Sequence, residues 1–326
     1  MKVRALLASA AMVAGGSIAA VGTSAAPASA DAPCAPLQVV GAPGTGYELI
    51  YSAPTTLPGG GTANLPSGID FTKPDVLIGQ VAAKLQPERD AGRITYQQVP
   101  YPADIGITMS YRKSVRLGTK ATKAYIAVKA RQCPGSRFAL IGFSQGARVA
   151  GNVLHSIGQG NGPIRPDRLA VGGLWADPGR TQNDQLVGPA VPGKGIDRMR
   201  KGGFGAVNSR TFSVCAPGDI YCSADDSTLL RELVRKFGKS ALADTSIIRQ
   251  GLRMIQRNGF DLQKWSRAFG EKNVMTLIPK AIKTGLEIDR FIREGSHGHY
   301  LVGNTISVDG QSSIDWMTDR LREAAR

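Results

Sequence analysis

The tightest constraint in this sequence is Gly142-Phe143-Ser144-Gln145-Gly146. It sits between the apolar run Arg137 to Phe143 and a small-residue stretch, Gln145 to Ile157, that reads as a helix. A strand that passes into a helix through so few residues must turn sharply. The serine is forced into a strained backbone conformation, and its flanking positions must be glycine, because neighbouring backbone would collide with a side chain there. The rest of the chain keeps the same rhythm. Strands are expected at Leu37 to Val40, Ile94 to Val99, Leu169 to Leu174 and Thr211 to Val214. Helices are expected at Pro74 to Leu85, at 112 to 131 with a stop at Cys133-Pro134-Gly135, and at Gln311 to Ala324. Residues 52 to 70, rich in Pro and Gly, read as loop. The alternation implies an α/β three-layer sandwich on a mainly parallel sheet.

The turn also carries chemistry. It aims the Ser144 hydroxyl outward and starts a helix beneath it, whose free N–H groups, Gln145 first, can stabilise a developing oxyanion. A serine hydroxyl is a poor nucleophile unless a histidine, oriented by a carboxylate, takes its proton. The chain has only 3 histidines, which excludes a multi-histidine metal centre and leaves few candidates for the base. His155 falls three turns along the helix from Ser144, about 16 Å away, and is out of reach. His297 and His299 remain, just before the last helix. The acid should follow a sheet strand. Asp219 does, after Thr211 to Val214, with Asp177, Asp225 and Asp226 as lesser candidates. The order Ser–Asp–His is that of α/β-hydrolases. Neither a metal nor an organic cofactor is expected.

Residues 1 to 30 read as a secretory signal: Lys2 and Arg4, an apolar stretch Ala5 to Ala20, then Ala28-Ser29-Ala30 as cleavage site. Residues 31 to 326 would form the mature domain, with no later segment apolar enough to span a membrane. The formal charge of +15 becomes +13 without Lys2 and Arg4. It favours anionic envelope surfaces through its general field but selects no reaction. No motif or basic-aromatic stripe points to nucleic acid. Cys34, Cys133, Cys215 and Cys222 suit two disulfides in an exported chain, with three pairings open. A Cys215–Cys222 bridge would pin the loop around Asp219, leaving Cys34 and Cys133 to each other.

Several of these pieces together resemble the cutinase family of serine esterases, including the exported cutinase-like proteins of mycobacteria and related actinobacteria. They are Cys34, Tyr101-Pro102-Ala103, Cys133-Pro134 ahead of Gly142-Phe143-Ser144-Gln145-Gly146-Ala147, Asp177-Pro178, and Cys215-Ala216-Pro217-Gly218-Asp219-Ile220-Tyr221-Cys222. The resemblance implies an α/β-hydrolase-like fold, pairing of Cys34 with Cys133 and of Cys215 with Cys222, and catalysis by Ser144, Asp219 and a histidine that opens an H-x-x-Y pattern. His297-Gly298-His299-Tyr300 matches that pattern and favours His297 over His299. It also implies Thr45, in Pro43-Gly44-Thr45-Gly46, as the second oxyanion donor beside Gln145. A Gly-rich loop after the first strand is where such a donor is needed on physical grounds. Pro43 stands where the family carries an arginine that braces this loop.

One departure is large. Asp219 and His297 lie 78 residues apart, where compact cutinases need little more than a dozen. Residues 223 to 296 read as a helical cap or lid insertion, with helical patterns at 226 to 238, 244 to 258, 261 to 269 and 275 to 292. Such a segment returns to deliver His297 and forms a rim over the pocket. The expected function is hydrolysis of acyl esters, of lipid, phospholipid or glycolipid type, by a monomer that is secreted or held at the outer envelope. The competing expectations are an acyltransferase or thioesterase on the same triad, an acetyl-polysaccharide esterase, or an inactive envelope-binding protein.

Overall fold

The computed structural model describes residues 34–45, 54–56, 62–64, 76–104, 109–237, 274–301 and 306–326. In chain order the elements are β1 (Leu37–Ala42), β2 (Pro54–Thr56), β3 (Thr62–Asn64), α1 (Val76–Lys84), α2 (Gln86–Asp90), β4 (Ile94–Gln98) and α3 (Tyr111–Gln132). There follow β5 (Arg137–Phe143), α4 (Gln145–Gly158), β6 (Leu169–Trp175), β7 (Gln185–Val187), β8 (Thr211–Val214) and α5 (Ile220–Ser223). The chain closes with α6 (Leu230–Phe237), α7 (Val274–Glu294), the hairpin strands β9 (Ser307–Val308) and β10 (Gln311–Ser312), and α8 (Ser313–Ala324).

Six strands form the central sheet in the order β4-β1-β5-β6-β8-β7, and every neighbouring pair in it is parallel. Its inner strands β1 and β6 are buried along their whole length, as β5 is beyond its first residue. Helices on both faces leave no solvated side, so these strands carry continuous apolar runs. On one face, α3 and α4 close a core around Val115, Ile126, Phe138, Leu140, Val149 and Leu154. On the other, α1 and α8 pack Leu77, Val81, Ile141, Trp175, Ile314 and Met317. Sheet between two helical layers is the three-layer sandwich that the alternation implied.

The helix ends follow local chemistry. Ser110 caps α3 by accepting from Lys113 N–H, and Ser312 caps α8 by accepting from Asp315 N–H. The Cys34–Cys133 disulfide ties the segment leading into β1 to the end of α3 across 99 residues. A loop that long gives about 4–5 kcal/mol of stabilisation in the chain-entropy account.

Some elements differ from the sequence expectation. The Pro/Gly-rich stretch 52 to 70 holds an antiparallel pair, Pro54–Thr56 with Thr62–Asn64, too short to show a period. Gln311 and Ser312 do not begin the last helix. They pair with Val308 and Ser307 across Asp309-Gly310, both at positive φ as a two-residue hairpin demands. Edge strand β7 was not expected, because three half-buried residues carry no pattern. Helix α6 starts at Leu230 instead of 226, since Asp225 accepts from Ser227 N–H and folds that segment into a turn. The patterns at 244 to 258 and 261 to 269 lie outside the described residues. Helix α7 runs Val274–Glu294, and with α6 it packs Val234 and Ile288 onto Ile220 of α5.

The elbow depends on two close approaches. A Cβ on Gly146 would lie 2.0 Å from Ala42 O, and one on Gly142 would lie 2.5 Å from Gly146 O. Gly146→Ala is therefore expected to cost more than about 3 kcal/mol, or to prevent folding. Urea denaturation of the variant checks this, and an unchanged midpoint would contradict it.

Candidate active site

Ser144 stands between β5 and α4 with φ 54° and ψ −117°. That conformation costs a non-glycine residue about 1–3 kcal/mol and persists only where its surroundings enforce it. Here Ser144 N–H donates to Trp175 O of the neighbouring strand, and the two glycine contacts hold the turn from below. The hydroxyl is thereby presented above the sheet edge, on a residue 8% exposed.

The structure brings His297 and Asp219 to it. His297 Nε2 lies 3.0 Å from Ser144 Oγ, and its Nδ1 lies 3.0 Å from Asp219 Oδ2. With Nδ1–H donating to the carboxylate, Nε2 is left as the acceptor for the serine hydroxyl. The imidazole lies between two rings. Phe143 stacks at 5.2 Å between centroids and Tyr221 lies tilted at 4.5 Å. His297 belongs to a short 3₁₀ turn, Ser296–Gly298, entered from α7 through Gly295 at φ 59°. His299, two residues on, points away and donates from Nε2 to Glu294 O. His155, far along α4, donates from Nδ1 to Gly203 O.

Asp219 is fully buried, so both of its oxygens need donors. Oδ1 accepts from Tyr221 N–H at 3.0 Å, which also caps α5. Oδ2 accepts from the Tyr300 hydroxyl at 2.7 Å as well as from His297. The Cys215–Cys222 disulfide closes the loop that carries this carboxylate. Tyr300 O in turn accepts from Ala216 N–H at 2.7 Å. Burial, and then the negative charge of Asp219, push the Tyr300 phenol well above its ordinary pKa, so it remains a donor. Tyr300 was visible in sequence only as the last member of H-x-x-Y, with no role attached.

The lesser acid candidates lie elsewhere. Asp177 forms a buried, two-pronged ion pair with Arg200, at 2.6 and 3.1 Å. Asp225 holds the turn before α6, and Asp226 pairs with Lys194 and Arg231.

The loop after β1 lies against the start of α4. Ala42 and Pro43 carbonyls press on Gly146, and buried Tyr101 donates from its hydroxyl to Pro43 O at 2.5 Å. Tyr101 thus ties this loop to the segment that follows β4. Thr45 follows as a half-buried turn residue. Gln145 is buried; its Nε2 donates to Asp104 O at 2.9 Å and its Oε1 accepts from Ser114, which clamps the start of α4 to Asp104 and to α3. Among the described residues, no group of three or more His, Cys, Asp or Glu side chains could hold a metal ion. Nor is any described helix long and apolar enough to cross a membrane.

A doubly covered parallel sheet, with a serine at its elbow in a hydrogen-bonded line to histidine and aspartate, defines the serine-hydrolase class of α/β fold. Residues 74–234 match the family model described as Cutinase. A carboxylesterase Culp6 homolog from Corynebacterium glutamicum is 32% identical over 218 residues, which are 59% of this chain and 66% of that protein. The match thus spans just under two thirds of that relative's length. Over the matched residues the chain has a cutinase-family α/β-hydrolase fold. Among solved structures, the catalytic core of acetyl xylan esterase from Trichoderma reesei is 22% identical with a TM-score of 0.40, covering 64% of this chain and 97% of that one. Lysin B from Mycobacteriophage D29 is 19% identical with a TM-score of 0.46, covering 88% and 100%.

Removing the phenol oxygen in Tyr300→Phe takes one donor from a buried carboxylate and strands Ala216 N–H. Labelling of Ser144 by a fluorophosphonate is expected to slow about tenfold or more. Time-resolved mass spectrometry of the adduct measures it, and an unchanged rate would remove Tyr300 from the positioning of Asp219.

Proposed function

We propose that this chain is a serine carboxylic-ester hydrolase acting through an acyl-enzyme on Ser144. The observation that carries the reading is the His297 imidazole, 3.0 Å from both Ser144 Oγ and Asp219 Oδ2. Ser144 Oγ attacks the acyl carbonyl while His297 Nε2 takes its proton. Asp219 holds the tautomer and stabilises the imidazolium. The carbonyl oxygen, now an oxyanion, is met by Gln145 N–H at the start of α4 and by Thr45. Support for Thr45 comes from the packing of its loop on Gly146. The imidazolium returns its proton to the alcohol as the C–O bond breaks. Water, deprotonated by His297, then releases the acid and restores Ser144. Carboxylic esters are favoured as substrates because the relative above is a carboxylesterase.

The reading extends to lipid esters of the cell envelope, with residues 223–296 as the rim of the acyl site and residues 1–30 as export signal. Two observations support it. The segment that includes α7 leads directly into His297. Ile282 and Leu286, one turn apart on α7, are 59% and 64% exposed. Apolar side chains left in water on such a helix suit an acyl chain or a lipid phase.

A fluorophosphonate is expected to label Ser144 and no other residue, and Ser144→Ala to abolish labelling. His297→Ala should lower kcat/KM about 1000-fold or more, with His299→Ala within about twofold of the parent. Normal turnover in His297→Ala would overturn the triad. Across p-nitrophenyl esters, rates are expected to rise from acetyl to long acyl groups, and Ile282→Ser with Leu286→Ser to flatten that rise. Indifference of the parent to chain length would remove the lipid assignment while leaving the esterase.

A further inference from the structure

A second feature lies away from the Ser144 hydroxyl, between α3, α4 and the segment around Asp197. It is a groove of about 530 Å³. Arg112, Arg116, Lys120 and Lys123 line one wall. Their spacing of four, four and three residues puts them on one face of α3, over about 16 Å of helix. Arg198 stands at the opposite wall and Arg148 in the floor. Six cationic side chains thus face one carboxylate, Asp197, which is already engaged by Arg148 at 3.4 Å. Among the described residues, Arg112, Arg116, Lys120, Lys123 and Arg198 make no side-chain ion pair. Helix α3 has no acidic residue along its 22 residues, so no carboxylate at i±4 offsets this row.

The floor adds to the imbalance. Arg148 is mostly buried, with its side chain 13% exposed. It donates to Arg198 O at 2.8 Å. Behind it lies Arg200, whose own charge is met by Asp177. Burial, and then the nearby Arg200, pull the Arg148 pKa down, and burial does the same to Lys123. Positive charge held in such a place is stabilised by an anion that enters the groove.

We propose that this groove is a binding site for a ligand carrying two or more phosphate groups. Guanidinium groups take phosphate oxygens two at a time, and lysines add mobile point charges. A single phosphate reaches only part of a 16 Å row, so the site calls for several on one molecule. The concave shape suits a compact or chain-like oligophosphate better than a flat headgroup layer. The site stands apart from the esterase reading, because neither His297 nor Asp219 is among its lining residues.

The test is isothermal titration of the purified chain with inorganic tripolyphosphate and with orthophosphate, beside co-sedimentation with phosphatidylglycerol vesicles. The groove pair Arg116→Gln with Lys120→Gln is compared with a control pair of equal charge change, Lys129→Gln with Arg137→Gln, that does not line the groove. Melting curves verify that both pairs fold. Tripolyphosphate is expected to bind saturably and more tightly than orthophosphate. Its Kd should rise at least about tenfold in the groove pair, stay unchanged in the control pair, and rise with salt. Absence of tripolyphosphate binding, or equal weakening in both pairs, would overturn the site. Orthophosphate binding as tight as tripolyphosphate would overturn the multi-phosphate ligand. Vesicle binding lost in the groove pair, with no tripolyphosphate binding, would reassign the groove to a lipid surface.

Discussion

The backbone contact beneath Ser144 is the constraint on which the rest of the site hangs. The start of α4 touches the end of β1 with no room for a side chain, and that contact sets three things at once. It forces Ser144 to positive φ, it directs the α4 N-terminus toward the sheet edge, and it holds the β1 loop beside that N-terminus. The strain of the serine is sustained by a fully buried sheet on either side.

A second constraint is the buried Asp219 carboxylate. A charge taken out of water must be met by donors, and two segments supply three of them: Tyr221 N–H from its own loop, and His297 and Tyr300 from the segment after α7. The same hydrogen bonds that make the carboxylate tolerable in the interior fix where the chain returns 78 residues later, because His297 and Tyr300 dock on Asp219. The Cys215–Cys222 bridge limits the freedom of that loop before the return segment arrives. Stability and positioning are here the same set of contacts.

Much of the sandwich was legible. Fully buried strands such as β5 and β6 leave continuous apolar runs, and α4 leaves a long stretch of small and apolar residues behind the elbow. The short elements left no trace: β7, the Pro54–Thr56 pair and the β9–β10 hairpin have too few residues for a period. Single polar side chains whose partners are remote were equally silent. Tyr101 reaches Pro43 across 58 residues and Tyr300 reaches Ala216 across 84, and nothing local marks either as a brace. The basic row on α3 was present in sequence as charge, but the groove opposite it is made by α4 and the segment around Asp197.

By itself the sequence determined the strand–turn–helix at Ser144, since glycine at 142 and 146 is demanded by sterics that any such turn imposes. It also determined the short roster of histidines, acids and cysteines from which a site could be drawn. Only the tertiary structure decided which imidazole meets the serine. His297 and His299 share one short turn, and spacing cannot separate them. Packing can: the slot between Phe143 and Tyr221 takes one ring, and the buried carboxylate at its base hydrogen-bonds the one it takes.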